Sequence, residues 1–135
     1  MDIVSVERRS DIMRRVHSKS TSAELVVRRL TYAMGYRYRL NCEYLPGKPD
    51  LVFAGRKKVI FVHGCFWHGH EGCNRARLPQ ANREYWSTKI NRNAQRDRAQ
   101  LTMLNGKGWR TLVIWECELR DAIAVQTRIK EFLDG

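Results

Sequence analysis

The sequence predicts an α/β sandwich, a mixed β-sheet flanked by helices, and three stretches carry that expectation. KVIFV (58–62) is apolar enough for the centre of a sheet, and WRTLVIW (109–115) reads as another buried strand. Between them lies ANREYWSTKINRNAQRDRAQLTMLNGKG (81–108), whose apolar residues recur at helical spacing until glycines end it. Strand, helix and strand in that order, with helices before and after, are what a layered α/β domain needs. A chain of 135 residues can close one such core without disulfide staples.

Along the chain, residues 1–20 are basic and polar, with Met13 standing among arginines, and read as an N-terminal arm. Residues 21–135 read as a single domain. Thr21-Ser22-Ala23-Glu24 has a capping-box pattern and opens ELVVRRLTYAMG, so a helix is expected over 22–34. YRYRL (36–40) alternates and reads as a strand, LPGKPD (45–50) is turn chemistry, and LVF (51–53) is a second short strand. Ala54-Gly55-Arg56-Lys57 turns the chain into 58–62. A closing helix is expected over 121–133. No repeat and no low-complexity linker interrupts this order.

Charge narrows the partner. Twenty-five Lys and Arg against 14 Asp and Glu leave +11 and a pI near 10.0, which fits a polyanion, nucleic acid first. No apolar run is long enough for a membrane span, and the N-terminus has no signal-type apolar core. The expected location is therefore cytoplasmic, or nucleoid-associated if DNA is the partner. In that reducing compartment the 4 cysteines read as thiols or metal ligands.

The stretch VIFVHGCFWHGHEGC (59–73) holds the densest chemistry. Cys65, His68, His70 and Cys73 lie close in sequence, and Cys117 follows the last strand. Two cysteines and a histidine from one loop, joined by a distant cysteine, make a tetrahedral site suited to zinc. His68 and His70 can both reach it. With no open position such a site is structural, so catalysis has to come from elsewhere. Cys42 reads as a small core residue.

Asp50 follows Pro49 at the head of LVF, and the next strand ends at Val62-His63. A carboxylate beside a second strand end could share a divalent cation. Asp97 falls on the long helix's apolar stripe of Trp86, Ile90, Ala94, Leu101 and Leu104. There it is costly unless paired with an arginine or linked to a metal. Glu24 has its capping-box role, and from a helix start near the sheet it could also reach a metal's water shell. Arg75, Arg77, Arg83, Lys89, Arg92, Arg96 and Arg98 cannot share one helix face, so some line a groove and others are solvated.

These motifs together, HGCFWHGH preceded by LPGKPDLVF and followed by EYW…INRNAQRDR and GWRTLVIWEC, resemble the very-short-patch-repair mismatch endonucleases. The resemblance runs from about Met13 to Cys117. It implies a restriction-endonuclease-like fold, a structural Zn2+, and Mg2+-dependent hydrolysis on the 5′ side of the thymine in a T:G mismatch left by deaminated 5-methylcytosine. Carried onto this chain, Asp50 and the carbonyl of Val62 resemble the magnesium ligands. His68 resembles the base that activates water, with Asp97 as its partner, while His63 and Glu24 resemble residues at the metals' water shell. Cys65, His70, Cys73 and Cys117 resemble the zinc ligands. Met13, Phe66 and Trp67 resemble the wedge that enters the base stack, and Arg75, Arg77, Lys89 and Asn93 fall among the DNA-binding positions. The implied partner is double-stranded DNA, met by a monomer, with downstream mismatch-repair proteins following. The (D/E)xK half-motif of the wider nuclease superfamily is absent, and Val62-His63 stands in its place.

Three functional classes follow: a strand-nicking mismatch endonuclease, a nuclease of restriction or mobile-element origin with another target, and a non-catalytic zinc-containing DNA-binding module. The first two need Asp50 and His68 and the third does not. Asp50, His68 and Asp97 present in order favour an enzyme.

Overall fold

The computed structural model describes residues 22–135. The predicted arm with Met13, and Thr21 of the capping box, lie outside the described residues. The first helix, α1 (Ser22–Ala33), carries Glu24 in its first turn and buries Val27 and Thr31, one turn apart on its inner face. Thr31 satisfies its buried hydroxyl by donating to the Val27 carbonyl at 2.7 Å.

The sheet has three strands in the order β1 (Leu51–Phe53), β2 (Lys58–His63), β3 (Arg110–Trp115). β1 runs antiparallel to β2, and β2 runs parallel to β3 with His63 opposite Trp115. The sheet is mixed, as the sequence predicts. The expected strand at 36–40 is reduced to one bridge, Arg39 to Val52. Its alternation puts arginines on one side at an edge, and Asn41 then takes a left-handed φ of 57°, which turns the chain away before a ladder can grow.

All six residues of β2 are buried, and strand alternation divides them between two cores. Leu51, Phe53, Ile60, Val62 and Ile114 meet Val27 of α1 and Val125, Ile129 and Leu133 of α3 (Ala122–Asp134). Val52, Val59 and Phe61 face the other way, against Leu104 of α2 (Arg83–Gly106), with Cys42 and Leu45. Each fully buried aliphatic side chain is worth roughly 1.5–3 kcal/mol, so both layers are firmly attached. The ends are fastened by polar groups. Asp121 caps α3 by accepting from the Ala124 N–H at 3.1 Å. Lys58, buried at the start of β2, donates to the carbonyls of Phe132, Leu133 and Gly135 at the other end of that helix. No helix among the described residues is long and apolar enough to cross a membrane.

Candidate active site

Two carboxylates meet where β1 begins and β2 ends. Asp50 accepts the Val62 backbone N–H at 2.6 Å, so the hairpin fixes its carboxylate on the end of β2. Burial pushes its pKa from 3.8 up to about 7; the Val62 N–H opposes the rise, and the adjoining Glu24 carboxylate, hydrogen-bonded to it, adds to it. Glu24 itself is 3.5 Å from Arg28, whose charge favours the ionised form of Asp50. Two neighbouring acids in a desolvated niche are the kind of donor pair that a divalent cation suits.

The second half of the site stands on the α2 side of the same strand end. His68 places Nδ1 2.6 Å from an Asp97 carboxylate oxygen. The expected cost of Asp97 on an inward helical stripe is met by this bond rather than by an arginine. A carboxylate oxygen only accepts, so Nδ1 is the donor of this bond. His63, buried on β2, stacks on His68 with ring centroids 3.8 Å apart and planes 5° from parallel. His63, His68 and Asp97 are close enough together to suggest a metal group. Stacked parallel imidazoles, however, aim their lone pairs along parallel planes, so an ion in the plane of one lies a ring spacing from the plane of the other. The geometry suits a held base better than a chelate.

Cys65, His70, Cys73 and Cys117 converge so that one ligand atom from each lies within 4.8 Å of all the others. The loop after β2 closes on itself through His68 N–H to Gly64 O and His70 N–H to Cys65 O. Gly69 makes the divergence of its neighbours possible. Its φ is +62°, and a Cβ there would sit 2.8 Å from Ile90 Cγ2. His68 can therefore turn towards Asp97 while His70 turns to Cys117, 3.5 Å from its sulfur. Cys117 comes from the short 3-10 helix after β3, Glu116–Arg120, rather than from α3.

The donor set fits zinc. Burial pushes the Cys65 thiol up to about 12 against an opposing N–H from Cys117. Burial also acts upward on Cys73, but N–H groups of Arg75 and Ala76 and the thiols of Cys65 and Cys117 outweigh it and lower its pKa. Three soft sulfurs and one imidazole, with backbone donors already aimed at a sulfur, would be discharged by a tetrahedral divalent cation.

Phe66 and Trp67 are half-buried rather than fully exposed. They form an edge-to-face trio with Trp86 of α2, at centroid distances of 5.4, 5.6 and 6.0 Å. Asn93 donates to the Trp67 carbonyl at 3.1 Å, and Lys89 Nζ stands 5.5 Å over the Trp67 ring. Tyr85, Lys89, Arg92, Asn93 and Arg96 line an open groove of about 640 Å3 beside that loop. Arg77 and Arg83 line a second groove, next to His70 and Cys73. Arg75 is exposed on the same loop. The cations of 75–98 thus divide between grooves and solvent.

Three contributors were not singled out by the sequence. Glu116 accepts the Cys65 N–H, Trp86 backs the aromatic loop, and Trp115 stands among three histidines. Trp86 was visible as an apolar stripe residue, but Trp115 was hidden inside an ordinary strand pattern.

The family model described as "DNA mismatch endonuclease Vsr" matches residues 1–75. The chain is 48% identical over 133 residues to the type II nicking enzyme V.XorIIP of Xanthomonas oryzae pv. oryzae, covering 98% of this chain and 97% of the relative. It is 36% identical over 139 residues to the DNA mismatch endonuclease Vsr of Escherichia coli, covering 99% and 88%. Among solved structures, the catalytic domain of the homing endonuclease I-Bth0305I is similar with a TM-score of 0.57 and 26% identity, over 84% of this chain and 94% of that one.

Proposed function

The chain belongs to the Vsr family of DNA endonucleases, and from that premise we propose that it nicks one strand of double-stranded DNA 5′ of the thymine in a T:G mismatch, beginning very short patch repair. The observation that carries the reading is the convergence, at the end of β2, of the Asp50–Glu24 acid pair and the Asp97-oriented His68. A binding module gains nothing from either arrangement, and the buried acid pair costs folding energy.

Asp50 and the Val62 carbonyl would hold magnesium, with Glu24 and His63 at its water shell. Bound there, the cation supplies charge neutralisation at the scissile phosphate and a more acidic water. The chain's own groups do the rest. His68 accepts the water's proton at Nε2, and Asp97 fixes the tautomer that makes this nitrogen basic. Burial of Asp50 makes its charge count for more than an exposed carboxylate would. Cys65, His70, Cys73 and Cys117 would hold zinc and keep the 64–73 loop rigid. Phe66 and Trp67, backed by Trp86, form with Met13 a wedge for a stack already weakened by a mispair. Lys89 and Asn93 contact DNA beside the wedge, and Arg75 and Arg77 contact phosphates. Residues 1–20 act as a basic arm to the nuclease domain of 21–135. The enzyme works as a monomer and leaves its nick to downstream repair proteins.

A nicking assay with Mg2+ on labelled duplexes differing only by T:G or C:G at one position tests this directly. The expected product is a single nick 5′ of the mismatched T. Equal cutting of both duplexes would favour the restriction-type alternative, and binding without a cut by metal-replete protein would sink the catalytic assignment.

A further inference from the structure

We propose that Trp115 is a positioning residue through which the Cys/His cluster holds the histidine base in its working orientation, an inference that rests on the catalytic reading of His68 given above. The parallel register sets Trp115 beside His63, so both side chains leave the sheet on the α2 face. The indole lies flat on His70, with centroids 4.1 Å apart and planes within 9°. It meets His63 edge-to-face at 5.2 Å and His68 at 6.4 Å. His63 in turn stacks on His68. One ring system therefore touches a candidate zinc ligand on one side and both histidines of the catalytic half on the other.

Along the chain only Gly69 separates His68 from His70, and the two side chains turn opposite ways across it. The indole supplies a second, side-chain connection between the two halves. The backbone at its base is fastened, since Glu118 accepts the Trp115 main-chain N–H at 2.8 Å and Glu116 accepts the Cys65 main-chain N–H. Core filling does not account for the residue. Trp115 joins neither hydrophobic cluster of the described residues, whereas Trp109, just before the other end of the strand, packs against one of them.

The test compares Trp115→Leu, Trp115→Phe, Trp109→Leu and His68→Ala, all purified with their zinc. Turnover and KM for the mismatched duplex are read together with melting temperature, zinc content and the low-field proton resonance of the His68–Asp97 hydrogen bond. Misplacement by about 1 Å can cost on the order of 10²-fold, so Trp115→Leu should lose roughly 10- to 100-fold in kcat with KM within about twofold. The low-field resonance should broaden or vanish in the same variant. Trp115→Phe, which keeps a ring on His70, should recover most of the turnover and the resonance. Trp109→Leu should lose melting temperature while keeping kcat per folded molecule. If Trp115→Leu does not fold, Trp115→Met replaces it and is read in the same way. Normal kcat and an intact resonance in the ringless variant, with His68→Ala inactive, would overturn the role of Trp115 alone. So would parallel losses in the Trp115 and Trp109 variants. An active His68→Ala protein would overturn the catalytic reading and the inference with it.

Discussion

Replacing Asp50 by Asn should make the cation-free protein more stable while abolishing its cleavage activity. Burial raises the pKa of Asp50 from 3.8 to about 7, so the fold holds this proton more tightly than the unfolded chain does. The stability linked to that proton is fully present below pH 3.8 and is lost as pH rises through about 7. At about 1.36 kcal/mol per pKa unit, the loss is ~4 kcal/mol at pH 8 and only ~1.6 kcal/mol at pH 5. The Asn amide oxygen keeps an acceptor for the Val62 N–H but carries no charge beside Glu24. In buffer freed of loosely bound divalent ions, Asp50→Asn should therefore melt on the order of 10 °C above wild type at pH 8, with a much smaller gap at pH 5. Millimolar Mg2+ should raise the wild-type melting temperature at pH 8 and leave the variant unmoved. Thermal melts at the two pH values, with and without the cation, read all of this. A variant that melts below wild type at pH 8, or a gap that does not shrink towards pH 5, would refute the account of a strained anionic site.

Three further perturbations probe the other parts. Gly69→Ala meets both a left-handed φ and a 2.8 Å approach to Ile90, so urea unfolding should show a loss of ~2–5 kcal/mol; a loss under about 1 kcal/mol would mean that the loop is not held as described. Cys117→Ser should lower zinc content and melting temperature together, and a zinc-replete, equally heat-stable protein would remove Cys117 from the ligand set. Asp97→Asn keeps the shape but frees the His68 tautomer, so kcat should drop by roughly 10²–10³ with DNA affinity nearly unchanged, and an unchanged kcat would rule out the Asp97 role.

Much of this architecture was legible in the chain because hydrophobic periodicity specifies layers. The run at 58–62 became the fully buried central strand and the long middle segment a helix, but 109–115, read as another buried strand, became an outer strand of the described sheet with only Ile114 buried. The strand expected at 36–40 failed because alternation at an edge does not ensure a partner. β1 is only Leu51–Phe53, and the chain leaves it at Asn41. The Cys/His cluster was legible because ligand residues this dense in one loop are rare in a reducing compartment. Choosing His70 over His68 needed the opposite rotations that Gly69 permits, and spacing alone does not encode them. Asp97 drew notice as a misplaced charge, and its partner proved to be His68. Trp115 gave no signal, since an aromatic at the end of an apolar strand looks like core until the register with His63 is known.

The register also explains why one short strand can serve two chemistries. Successive residues of β2 face opposite layers, so Val62 belongs to the core under α1 and α3 while His63 points towards α2. Glu24 is delivered from the α1 side and Asp97 from the α2 side, and the strand end stands between them. That division matters because both halves depend on carboxylates. Asp97 is committed to His68 at 2.6 Å, whereas Asp50 and Glu24 face each other as a pair of acids. Set side by side, the two groups would compete for the same cation and the histidine would lose its orienting partner. Separated by the strand, one half can draw a cation and the other keeps its histidine aimed. The aromatic loop leaves the sheet at this same point. Whatever the loop grips is therefore presented to both halves at once, as the proposed cut beside a mismatched base requires.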